Sequence, residues 1–167
     1  MKITVITVGK MKEKYLKDAI AEYSKRLSKY CKLEVVEVPD EKTPDNASEV
    51  VEDMIRTKEA ERLLKHIKDD AFVITLEING KQLSSEELAD KIDKLGVQGT
   101  SHIIFIIGGS IGLGQEVLQK SNFLYYVLIL HLLSPNMDKY ESLFPEVPDR
   151  QDVQSLVHFH LAATQCI

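Results

Sequence analysis

Two stretches of this chain combine residue types suited to holding a small ligand. The first is Thr75-Leu76-Glu77-Ile78-Asn79-Gly80-Lys81. The second is Ile107-Gly108-Gly109-Ser110-Ile111-Gly112-Leu113-Gly114, with four glycines in seven residues. Glycine lets backbone approach a ligand with no Cβ in the way, and free amides ahead of a helix suit a carboxylate, a phosphate or the edge of an adenosyl group. A tight strand-to-helix connection also needs glycine, so composition alone does not separate packing from binding. Other polar candidates carry less. His158 and His160 fall on one side of a strand without a third ligand, so no metal is expected. Cys31 and Cys166 show no Cys-x-x-Cys or Cys/His spacing, which gives neither a disulfide framework nor a zinc site.

The elements that must position these stretches follow from periodicity. Lys2 to Val8 is rich in β-branched residues and stops at Gly9, a buried strand meeting a turn. From Lys10 to Tyr30, apolar residues recur at helical spacing (Met11, Tyr15, Leu16, Ala19, Ile20, Tyr23, Leu27), predicting a long amphipathic helix. Leu33 to Val38 reads as a second strand, Ser48 to Lys68 as a surface helix, and Phe72 to Ile78 as a third strand ended by an Asn79-Gly80 turn. Ser84-Ser85-Glu86-Glu87 is a capping box for a helix to Leu95, with Gly96 as its left-handed stop. His102 to Ile107 is apolar without alternation, as expected of a central strand covered on both faces. Strand and helix alternate four times. The fold class is therefore α/β, a mostly parallel sheet with helices on both faces and right-handed crossovers. In such sheets ligands collect beyond the carboxyl ends of the strands, where both stretches fall.

Length and charge limit the function classes. A chain of 167 residues with 44% apolar content suits one domain over residues 1–167, and a net charge of −5 excludes a polycation. Any nucleic-acid partner must be met by a local patch. Residues 1–33 supply one, with nine bases and three acids, most on the outer face of the first helix: Lys12, Lys14, Lys17, Lys25, Arg26 and Lys29. The apolar run Phe123 to Leu130 is shorter than the roughly 20 residues of a membrane span. Met1 to Val8 is too short for a signal sequence, so a cytoplasmic location without membrane attachment is expected.

The glycine loop also looks like the pyrophosphate loop of short-chain dehydrogenases, which would imply an oxidoreductase. That loop should follow the first strand of its unit, whereas here it follows the fourth, with 53 residues left after Gly114 and no Tyr-x-x-x-Lys among them. A different likeness fits the order of motifs. Met1-Lys2-Ile3, Val8-Gly9-Lys10-Met11-Lys12-Glu13-Lys14-Tyr15, Pro39-Asp40-Glu41-Lys42, Leu76-Glu77-Ile78-Asn79-Gly80-Lys81 and Ile107-Gly108-Gly109-Ser110-Ile111-Gly112-Leu113 resemble the RlmH family of large-subunit ribosomal RNA methyltransferases, in the SPOUT (α/β-knot) superfamily. The resemblance implies a homodimer, a trefoil knot in the carboxyl-terminal part, S-adenosylmethionine as cofactor, and methylation at N3 of a pseudouridine in 23S ribosomal RNA. Leu76 and Gly108 match the family's cofactor contacts, and Gly109 and Gly112 fit the same loop more loosely. With RNA as substrate, the six bases of the first helix become candidate phosphate contacts, adding affinity without sequence information. No side chain is singled out as proton acceptor.

The likeness runs from Met1 to about Phe123 and then stops abruptly, as a changed reading frame or a joined sequence would make it. Leu124 to Leu133 and the acidic tail with Pro135, Pro145 and Pro148 match nothing in the family pattern. The departure puts the knot and the last cofactor loop in question. It makes a remnant of the same fold, dimerising or RNA-binding but impaired in catalysis, the alternative to an active methyltransferase.

Overall fold

A computed structural model describes residues 1–12 and 14–126. The elements run β1 (Lys2–Val8), α1 (Lys14–Leu27), β2 (Lys32–Val38), α2 (Glu49–Leu64), β3 (Phe72–Gln82), α3 (Ser85–Val97), β4 (His102–Ile107), α4 (Gln115–Lys120) and β5 (Phe123–Tyr126). The five strands form one sheet in the order β2-β1-β4-β3-β5, every pair parallel. β4 is central, and all six of its residues are buried. Complete burial of its four isoleucines contributes about 1.5–3 kcal/mol each, which explains why this strand shows no alternation.

Apolar side chains build a core on each face of the sheet. One contains Ile3, Val5, Ile74, Leu76, Ile103, Phe105 and Ile107 under Leu88 and Leu95 of α3. The other contains Ile6, Val8, Val73, Ile104 and Ile106 under Ala60 and Leu63 of α2 and Val117 of α4. Steps from β1 to β2 and from β3 to β4 cross the sheet in the same direction, so right-handed crossovers set α1 on the face of α3. Buried polar side chains of the strands are paired: Thr4 Oγ1 lies 2.9 Å from His102 Nε2, and Thr75 Oγ1 donates to Ser121 Oγ at 3.0 Å. Asn122 fastens β5 to β3 through two bonds to Val73, accepting from its N–H at 2.7 Å and donating to its carbonyl at 2.8 Å.

Several boundaries differ from the sequence reading. α1 begins at Lys14 because Gly9 turns the chain at φ +92° and Glu37 Oε1 accepts the Met11 N–H at 3.0 Å. Asn79-Gly80 does not reverse the chain: β3 continues to Gln82, with a register shift between Leu76 and Lys81 where the intervening residues bulge off β5. A Cβ on Gly80 would come within 2.6 Å of the Tyr125 backbone, so glycine is required there by strand packing rather than by a turn. α3 runs through Gly96, and the left-handed residue after it is Gly99, φ +91°. The capping box forms as expected, with Ser84 Oγ accepting the Glu87 N–H at 3.2 Å and Glu87 Oε2 accepting the Ser84 N–H at 2.7 Å. The expected knot and the histidines of the tail lie outside the described residues.

Candidate functional site

Parallel pairing brings the two ligand-suited stretches to one place. Leu76 on β3 lies opposite Ile107 on β4, and Thr7 on β1 lies opposite Ile107 from the other side. Gly108 follows immediately. The carboxyl edge of the sheet thus sets the Leu76 bulge and the glycine loop side by side, the arrangement open α/β sheets use for ligands.

The glycine loop is a hairpin-like turn. Gly109 and Gly112 form an antiparallel bridge, the Gly112 N–H donates to the Gly109 carbonyl at 3.2 Å, and Gly112 takes φ +86°. Its glycines serve different ends. A Cβ on Gly108 would meet the Gly112 carbonyl carbon at 2.9 Å, and one on Gly114 would meet Ala60 Cβ and the Arg56 carbonyl, both at 2.9 Å. These two are small because the turn folds onto itself and onto α2. Gly109 faces inward too, with Glu59 Oε2 2.9 Å and Val8 Cγ1 3.2 Å from where its Cβ would stand. Only at Gly112 does the Cβ direction open into space, nothing lying within 4 Å. What the turn can offer a ligand is therefore its backbone rim and the open side at Gly112.

α2 holds this turn from beneath. Arg56 donates to the Ile111 carbonyl at 3.4 Å and is itself held by Asp53 and Glu52, which keep its guanidinium charged above its ordinary range. Glu59 is buried at 4% exposure. Its Oε1 accepts the Glu41 N–H at 2.9 Å, while Oε2 has no hydrogen-bond partner among the described residues. Burial pushes this carboxyl above the usual carboxylate range, opposed by the Glu41 bond. Sequence reasoning misses Glu59, although a signal is present: it lies four residues from both Ile55 and Leu63, on the buried face of α2. Glu77, beside Leu76, is missed as well. It is partly buried, its Oε1 accepts the Ile78 N–H at 3.0 Å, and burial again raises its pKa.

The six basic candidates of the amino-terminal region are all exposed and are spread along the length of α1 and its flanks. α1 starts beyond the carboxyl end of β1 and returns to the amino edge, where the Lys32 N–H donates to the Met1 carbonyl at 3.0 Å. At about 1.5 Å per residue, Lys14 and Lys25 are roughly 16 Å apart along the axis. Lys12, Lys14 and Lys17 share the edge of the glycine turn; Lys25, Arg26 and Lys29 sit at the far edge. Arg26 is further committed to Glu22 at 3.1 Å and lies 5.7 Å from the Tyr23 ring centre. An open groove of about 410 Å³ against Lys29, Tyr30 and Cys31 also belongs to that far edge, away from both loops.

Comparison with known proteins gives the family of the chain. The family model described as "Predicted SPOUT methyltransferase" matches residues 1–127. The ribosomal RNA large subunit methyltransferase H of Bifidobacterium adolescentis is 65% identical over 124 residues, covering 74% of this chain and 78% of that protein. The protein of the same name from Clostridium beijerinckii is 60% identical over 123 residues, covering 74% and 77%. The family-model match ends at residue 127, just past β5, within a few residues of where the sequence pattern departs. With that extent of agreement over all four strand-helix units, the chain belongs to the SPOUT methyltransferase family.

Proposed function

We infer that this chain transfers a methyl group from S-adenosylmethionine to large-subunit ribosomal RNA, at N3 of a pseudouridine. The observation that carries the reading is the placement of Leu76 directly across from Ile107, with the glycine turn next in the chain, on the edge where a parallel sheet receives its ligand. The adenosyl group fits the donors present: the Leu76 bulge offers main-chain groups displaced from the β5 ladder, and the turn offers its rim beside the open side of Gly112. When bound, S-adenosylmethionine supplies a methyl group on a sulfonium that is already a good leaving group. The protein's own work is then orientation and removal of the N3 proton. Glu77 flanks Leu76 with a carboxyl whose raised pKa brings it closer to neutral working pH, which suits a proton acceptor. Lys12, Lys14 and Lys17 sit on the correct edge to hold RNA phosphates near this site.

The resemblance implies a homodimer, and the reading of the amino terminus adds a cytoplasmic location. No helix among the described residues is long and apolar enough to cross a membrane. Calorimetric titration with S-adenosylhomocysteine tests the cofactor, and methylation of ribosomes lacking the modification tests the reaction. Saturable binding with turnover is expected; no binding at millimolar ligand rejects the reading.

One observation favours a second reading. The matched segment accounts for 77–78% of these relatives, so about a fifth of their length has no counterpart matched in this chain. A remnant that binds RNA or dimerises without methyl transfer would bind ribosomes and give no turnover in the same assay.

A further inference from the structure

Glu59 has no role in the reading above, yet its surroundings are unusual for a helix residue. The position is spaced for an apolar side chain, between Ile55 and Leu63 on the buried face of α2. A carboxyl there costs desolvation that Leu or Met would not incur. Its carboxyl lies between two loops: Oε1 accepts the Glu41 amide of the loop after β2, and the group packs under Gly109 of the turn after β4, where a Cβ would stand 2.9 Å from Oε2 and 3.4 Å from Oε1. Among the described residues no cation forms an ion pair with it: Arg62 offsets its charge only at a distance, its guanidinium being bonded to Glu41 and to the Pro39 carbonyl, the latter at 2.7 Å. Asp40 and Glu41 from the same loop and Arg62 from its own helix are the charges that reach Glu59, while Val8 of β1 and Gly109 of the turn present uncharged groups.

We propose that Glu59 is a positioning residue: its carboxyl ties the Pro39–Glu41 loop to the glycine turn, so that the two loops at the carboxyl edge hold one relative placement. The inference concerns the free protein's own loops; only its consequence for a bound adenosyl group rests on the methyltransferase reading. With Oε1 fixed by Glu41, Oε2 has one position under Gly109, and any larger residue at 109 or a shift of either loop disturbs the other. Arg56 on the Ile111 carbonyl and Arg62 on the Pro39 carbonyl brace the same two loops from one helix turn on either side.

Amide hydrogen exchange on the ligand-free full chain tests this without requiring any cofactor. In Glu59→Gln, which keeps the shape and an acceptor oxygen, protection at Glu41 and across Gly109–Leu113 should stay as in the parent. In Glu59→Met, which keeps volume and loses the acceptor, exchange should accelerate at both loops together, by about tenfold for loss of one such bond. Acceleration at Glu41 alone, with the turn unchanged, overturns the proposal, as does an unchanged pattern at both. Should Glu59→Met fail to fold, the pH series decides. After correction for intrinsic exchange, protection of the turn should fall with rising pH in the parent and not in Glu59→Gln, whereas equal profiles overturn it. S-adenosylhomocysteine titration of the same samples separates the two ideas: coupled loops with no ligand binding reject the methyltransferase reading and leave the role of Glu59 standing.

Discussion

Leu76 and Ile107 face each other across the β3–β4 ladder, and each is the last residue of its strand to pair in that ladder. That pairing is what turns two separate glycine-bearing stretches into one edge. If the edge holds an adenosyl group, substitutions that displace the turn should be felt in binding more than in folding. A Cβ at Gly108 strikes the Gly112 backbone rather than a yielding side chain. Gly108→Ala should cost about 1–3 kcal/mol of stability by overpacking. It should weaken S-adenosylhomocysteine binding at least tenfold, measured by calorimetry on protein that remains folded by circular dichroism.

Gly112 provides the complementary case, because space is open there and only the backbone objects. Placing alanine at φ +86° should cost about 1–2 kcal/mol, while packing against α2 is unaffected. Urea denaturation should show the loss with an unchanged slope.

Much of the scaffold is legible in the sequence, for reasons that particular residues make plain. β1 and β4 have the limits their composition predicts because β-branched runs ended by Gly9 and Gly108 leave little freedom, and the Ser84–Glu87 box forms because both of its bonds are local. Asn79-Gly80 misleads because local turn chemistry loses to pairing with Tyr125, a partner 45 residues away in the chain. The loop glycines are legible as a loop, but not in their division of labour. That Gly109 faces Glu59 and Gly114 faces Ala60 depends on how α2 lies across the sheet, which no local pattern encodes. The basic helix reads as one patch because a helical face is visible in sequence, whereas its two ends reaching opposite edges of the sheet is a matter of topology.

That split gives a charge-dependent prediction. Lys14→Glu and Lys17→Glu should weaken ribosomal RNA binding and lower the slope of log affinity against log salt by about one for each phosphate no longer neutralised. Lys25→Glu and Arg26→Glu should leave the slope nearly unchanged. Filter binding over a salt series distinguishes the pairs, and equal effects would show that RNA spans both edges.

The stability of the fold should also report on Glu59. Its folded pKa lies above the ordinary value of 4.5, so the neutral form is favoured in the folded chain. The contribution is intact below the unfolded pKa and is lost as pH rises through the folded one. Glu59→Gln removes this titration. Thermal melts from pH 4 to pH 8 should therefore show the variant gaining on the parent as pH rises, with the difference levelling off once the parent carboxyl is ionised.

Glu77 has the same direction of shift but a different expected consequence, because it lies on the ligand edge rather than beneath the turn. If it accepts the N3 proton as proposed, it must be ionised to act, so turnover should climb with pH through its raised pKa and then level off. Glu77→Gln should lower kcat by about a hundredfold or more, the usual loss for a general base. The side chain reaches back to the Ile78 amide, a bond the glutamine oxygen can preserve. Ligand binding should then be retained while the acidic limb of the pH profile disappears. A variant that loses S-adenosylhomocysteine affinity in step with kcat would instead identify Glu77 as a support for the Leu76 bulge.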